Sequence, residues 1–132
     1  MMIPYTPSFE TCKRLVALWP QDIRTSPIQR WWFQFTGTPD DEWHILLRRQ
    51  PNGLVPTATH EPYIACPTIG EMLAEIRTRH LRVRLELANA DDDWYARVGD
   101  TEQDLPIGLC WSESPAEALA LALCKALEAT RG

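Results

Sequence analysis

Residues 81–98, LRVRLELANADDDWYARV, decide the fold of this chain. Leu81, Val83, Leu85 and Leu87 alternate with Arg82, Arg84 and Glu86, the period of a strand with one buried face and one wet face. Asp91-Asp92-Asp93 supply turn chemistry, after which Trp94, Ala96 and Val98 alternate with Tyr95 and Arg97 in a second strand. Such a hairpin needs a cover for its apolar face, and one follows directly. Ser114-Pro115-Ala116-Glu117 reads as a helix start, with serine at the N-cap, proline at the first helical position and glutamate at the third. The run ALALALCKALEA behind it is rich in helix-forming alanine and leucine. Leu119, Leu123 and Ala126 are therefore expected over Leu81, Val83, Leu85, Leu87, Trp94, Ala96 and Val98. A third short strand, Ile107 to Trp111, lies between the turn-like TEQDLP segment and this helix.

Upstream, Thr68-Ile69-Gly70-Glu71 fits a capping box, and Ile69, Met72, Leu73 and Ile76 follow at helical spacing. Thr6-Pro7-Ser8 opens another helix, in which Phe9, Cys12, Val16 and Trp19 recur until Pro20 stops the run. Arg30–Thr36 and Trp43–Arg49 read as a hairpin joined by residues 37–42. Residues 50–67 carry Pro51, Pro56, Pro62 and Pro67 and read as an irregular linker. The expected fold is α+β, a single domain over residues 1–132 with an antiparallel sheet and helices on one face, in the order α-β-β-linker-α-β-β-β-α. Its parts are a helix over 8–19, a hairpin over 30–49, and an α-β-β-β-α unit over 68–130. Asp40-Asp41-Glu42-Trp43 and Asp91-Asp92-Asp93-Trp94 raise an internal repeat, although simple recurrence of turn and strand chemistry is the favoured account.

Composition bounds the function. With 132 residues, 45% hydrophobic and 23% charged, the chain is long enough for one core and too apolar to be disordered. No uncharged apolar run is long enough to span a membrane, and MMIPYTPSFE lacks the basic and apolar regions of a signal peptide. A cytoplasmic location follows as the expectation, with Cys12, Cys66, Cys110 and Cys124 reduced. No two of these form a C-x-x-C pair, and His44, His60 and His80 have no metal-ligand spacing. Residues 65–132 hold twelve acidic side chains against seven basic ones, which argues against nucleic-acid binding.

The segments CPTIGEMLAEI, VRLELANADDDWYARV and WSESPAEALALALCKALEA together resemble small proteins encoded by bacteriophages and prophages, over roughly residues 66–130. That resemblance implies a genomic setting and no particular reaction. Trp94–Val98, Leu105–Trp111 and Ser114–Leu119 also resemble HicB-type antitoxins, in which a strand pair leads into a helix opening with a (T/S)-x-x-E-A-L motif. The chain departs from that family in lacking its N-terminal strand start and any appended DNA-binding part. The α-β-β-β-α order is similar to a double-stranded-RNA-binding domain, but the last helix opens Ser114-Pro115-Ala116-Glu117 where that family needs lysines.

Signatures of catalysis are missing: there is no nucleophile elbow, phosphate-cradling loop, dinucleotide fingerprint or H-E-x-x-H. His60-Glu61 reads as a solvated loop pair, and Asp91-Asp92-Asp93 as an acidic turn. No catalytic, cofactor-binding or metal-binding residue is assigned, and no cofactor is expected. Six tryptophans stand out instead, and within Trp31-Trp32-Phe33 the alternation leaves Trp32, beside Arg30, as a candidate exposed anchor. Arg82, Arg84, Tyr95 and Arg97 fall on the polar side of neighbouring strands and form a second candidate patch. Leu121 lies between Glu117 and Lys125 on the last helix, so that face is expected to be covered by the N-terminal half or by a second copy of the chain. The expected function is a non-catalytic phage or prophage accessory protein that binds another protein, such as a host or defence component. The alternatives are a HicB-like antitoxin that neutralises a small toxin, which an adjacent toxin gene would favour, and a small enzyme of unrecognised type, which a reactive pocket would favour.

Overall fold

In the structure, a computed structural model describing residues 6–22, 25–35, 43–47, 59–88, 93–100 and 106–130, nine elements follow one another. They are α1 (Phe9–Leu18), β1 (Arg30–Phe35), β2 (Trp43–Leu47), β3 (Thr59–Ala65), α2 (Ile69–Thr78), β4 (Leu81–Ala88), β5 (Asp93–Asp100), β6 (Pro106–Ser112) and α3 (Pro115–Thr130). The class is α+β with antiparallel pairing throughout. The strands divide into two three-stranded sheets, ordered β2-β1-β3 and β4-β5-β6. The central strand is the first of its trio in one sheet and the second in the other, so the two acid–tryptophan turns do not join strands in equivalent topologies. Residues 37–42 and the Asp91-Asp92 part of the second turn lie outside the described residues, as do 101–105 and 50–58.

The expected linker needs correction, because its second half contains β3. Pro62 misled the sequence reading, yet the pairing shows how it is accommodated. Trp32 pairs with Ile64 and Gln34 with His60, so Glu61-Pro62-Tyr63 stand opposite Phe33 alone and the ladder shifts there. β3 is also an edge strand, where a missing backbone donor is tolerated. The pair His60-Glu61 therefore belongs to a strand rather than a loop.

The main core lies where α3 crosses the second sheet. Leu119, Leu123, Ala122 and Ala126 are fully buried with Ala96 and Val98 of β5, and Met72 and Ile76 of α2 close one side. Leu81, Leu85 and Trp94 pack against this cluster as expected. Val83 and Leu87 do not: they share the helix-side parity of β4 but remain 38% and 51% exposed. The reason is geometric. α3 lies over β5 and β6, leaving much of the edge strand β4 beyond its reach. Arg82 and Arg84 are exposed, so the strand register is the expected one.

α1 ties the two sheets together. Leu15 enters the main core, whereas Cys12 is buried with Ile64 and Cys66 beside the first sheet. The helix begins at Ser8, whose hydroxyl accepts the Thr11 amide at 3.2 Å. At α2 the expected box is complete: Glu71 N–H donates to Thr68 Oγ1 at 3.0 Å, and Thr68 N–H to Glu71 Oε1 at 2.8 Å.

Glu117 behaves differently from Glu71. Its carboxylate leaves its own N-cap and reaches the start of α1, accepting from the Ser8 amide at 2.9 Å, the Ser8 hydroxyl at 2.9 Å and the Thr11 hydroxyl at 3.0 Å. The Ser114 amide is satisfied instead by Ser112 Oγ. One turn from the other end, Arg14 meets Glu128 at 2.8 Å, a surface pair expected to contribute little. α1 thus covers the α3 face that carries Glu117 and Glu128, and Leu121 is half-buried. Glu117→Ala removes three hydrogen bonds at the α1 N-terminus, and the expected cost is about 2–3 kcal/mol, read as a lower urea midpoint with unchanged slope.

Candidate functional site

The register of the second sheet sorts its side chains into two faces. Leu85, Ala96 and Cys110 form one cross-strand row toward α3, and Val83, Val98 and Gly108 form the next. Rows of the opposite parity point away from the helices: Glu86 beside Tyr95 beside Trp111, then Arg84 beside Arg97. Four of the five residues singled out from sequence, Arg82, Arg84, Tyr95 and Arg97, thus come together on one open face. Arg82 and Arg84 are exposed, while Tyr95 and Arg97 are half-buried.

Trp111 completes this face and was missed. Its ring centroid lies 4.8 Å from that of Tyr95, tilted by 54°, and the residue is 53% exposed. Such an aromatic pair adds packing energy while leaving most of one large ring in water. The alternation within β6 was too short to orient it, and the ladder shift between Val98 and Gly99 removes any simple count from β5. The usable signal was the helix-side need for a small residue at Gly108, which sets the parity and turns Trp111 outward.

Two features give the patch its electrostatic character. Arg84 and Arg97 are directly opposite on paired strands, an arrangement in which like charges repel. Glu86 is the acidic neighbour on the same face, opposite Tyr95. The result is a basic and aromatic surface on the more acidic half of the chain.

Trp32 stands elsewhere. It packs against Phe9 of α1 with centroids 5.2 Å apart, and it joins the cluster around Cys12, Ile64 and Cys66. Its indole nitrogen is buried and finds no hydrogen-bond acceptor among the described residues. The expectation of an exposed anchor is corrected here: α1 covers the ring, so Trp32 is half-buried and not part of the open face. Its neighbour Trp31 is 1% exposed and donates to the Ile28 carbonyl at 2.7 Å.

The buried thiols are shifted in different directions, Cys66 being lowered by its hydrogen bond with Cys12 and by the nearby Arg30 guanidinium. A hydrogen bond with Cys66, together with burial, pushes the Cys12 thiol well above its ordinary value. Burial pushes Cys124 up to about 11. Thiols held protonated in this way are poor nucleophiles. Among the described residues no cluster of three or more His, Cys, Asp or Glu side chains is placed to hold a metal ion, and no helix is long and apolar enough to cross a membrane. No protein-family model, curated protein or solved structure matches the chain.

Proposed function

We propose that this chain is a non-catalytic binding module that engages an acidic protein surface through the open face of its second sheet. The observation that carries the reading is the cross-strand pair Arg84 and Arg97, flanked by the half-buried Tyr95 and the exposed Trp111 tilted against it. Guanidinium groups gathered on one face favour a carboxylate-bearing partner over a neutral one. Arginine and large aromatics are also the side chains that most often anchor protein interfaces. In the phage or prophage setting implied by the sequence resemblance, the partner is a host or defence protein in the cytoplasm. The antitoxin reading has its own observation, the antiparallel β5–β6 pair running through Ser112–Ser114 into α3, and makes the partner a small toxin.

Capture on the immobilised full chain tests the proposal. Bound partners are expected to elute as salt rises, since exposed charge pairs are screened over roughly 10 Å at 0.1 M salt. The triple variant Arg82→Ser, Arg84→Ser, Arg97→Ser is expected to lose those partners while circular dichroism shows that it keeps its fold. Recovery of the same proteins at the same yield would falsify the assignment of this face.

A further inference from the structure

The open edge of the second sheet carries information that the open face does not. Among the described residues β4 pairs only with β5, and it does so over all eight residues without a register shift. The opposite edge is blunted: β6 starts at Pro106, and its ladder with β5 shifts between Val98 and Gly99. β4 has neither proline nor bulge, and its outer flank shows exposed Val83 and Leu87 on one face and exposed Arg82, Arg84 and Glu86 on the other. A long, regular edge of this kind is a template for another strand.

We infer that the occupant is a second copy of the same chain, with β4 pairing antiparallel to its own copy about a two-fold axis through Leu85. The sequence of β4 is self-complementary in that register. Arg84 of each copy stands opposite Glu86 of the other, Val83 opposite Leu87, and Leu85 opposite itself. Neighbouring centres fail on charge alone. A two-fold axis at Val83 sets Arg82 against Arg84, one at Arg84 sets that residue against itself, and one at Glu86 opposes two carboxylates. Only the Leu85 centre, among those from Arg82 to Glu86, faces no charge with its own kind. It also brings a carboxylate to the outer side of Arg84, whose inner cross-strand neighbour is Arg97. The two exposed aliphatic side chains that α3 fails to cover become neighbours across the new ladder. Two three-stranded sheets thereby join into six strands, with an α3 helix over each half and two open faces side by side.

This inference goes beyond the binding of an outside protein and is tested without one. Sedimentation of the purified full chain over a concentration series is expected to show a reversible monomer–dimer equilibrium. Arg84→Glu and Glu86→Arg each create like-charge oppositions at two symmetric places, and each is expected to weaken the dimer about tenfold or more. The double variant Arg84→Glu, Glu86→Arg reverses both charges and is expected to restore association to near the parental level. Both positions are exposed, and circular dichroism reports whether each variant keeps its fold. A parent chain that stays monomeric at every concentration overturns the inference, with no variant needed. So does a dimer indifferent to the single reversals, or one that the folded double variant fails to recover.

Discussion

Gly108→Ala prevents α3 from seating on β6, and the expected loss is about 3 kcal/mol or more, at or beyond the upper end of ordinary overpacking. A Cβ at Gly108 would overlap the Ala122 carbonyl oxygen and lie 2.8 Å from the Ala126 amide nitrogen. Both atoms belong to the main chain of α3, so no rotamer change makes room. The helix would have to move away from the sheet, carrying Leu119 and Leu123 out of the core they share with Ala96 and Val98. Folded domains hold only about 5–15 kcal/mol in reserve, so this single methyl removes a large share of it. Ala122→Gly added to Gly108→Ala is expected to give no rescue, because the obstruction is the carbonyl rather than the alanine methyl. Urea denaturation followed by circular dichroism checks both. A Gly108→Ala protein with the parental midpoint would mean that α3 rides farther from β6 than the structure places it.

Much of the second half was legible because its two periods are clean. The β4 and β5 alternations set the faces correctly, and the starts at Thr68 and Ser114 placed α2 and α3 to the residue. Strand parity says which way a side chain points; it does not say whether anything covers it. Val83 and Leu87 show the difference, since their cover depends on where α3 crosses a sheet of three strands. β3 was hidden by Pro62, whose irregular pairing is visible only once β1 lies beside it. Glu117 was readable as a helix-start residue but not as the acceptor at the head of α1, a contact across more than a hundred residues. The candidate patch was found from the same parity argument, and Trp32 was misplaced because the approach of α1 to β1 leaves no periodic trace.

Leu119→Ala is expected to cost about 2–5 kcal/mol, the range for truncating a buried leucine. Leu119 is fully buried in the main cluster, which gathers residues of α1, α2, β5 and α3, so the space left behind cannot collapse without shifting packed neighbours. Leu87→Ala provides the matched comparison. The residue removed is the same, and sequence alternation assigned it to the same buried face, yet it is 51% exposed. At protein concentrations where the chain is monomeric, Leu87→Ala should therefore cost less than about 1 kcal/mol, because little apolar surface is withdrawn from water there. Measured by urea unfolding, the two midpoints should separate widely while the slopes stay alike. Equal losses at both positions would show that the outer part of β4 is covered as completely as the centre. Raising the protein concentration adds a second prediction to the same pair of variants. If β4 pairs with its own copy, the deficit of Leu87→Ala grows with concentration, since the leucine gains Val83 of the other chain as a neighbour, whereas that of Leu119→Ala at its buried site does not depend on that contact.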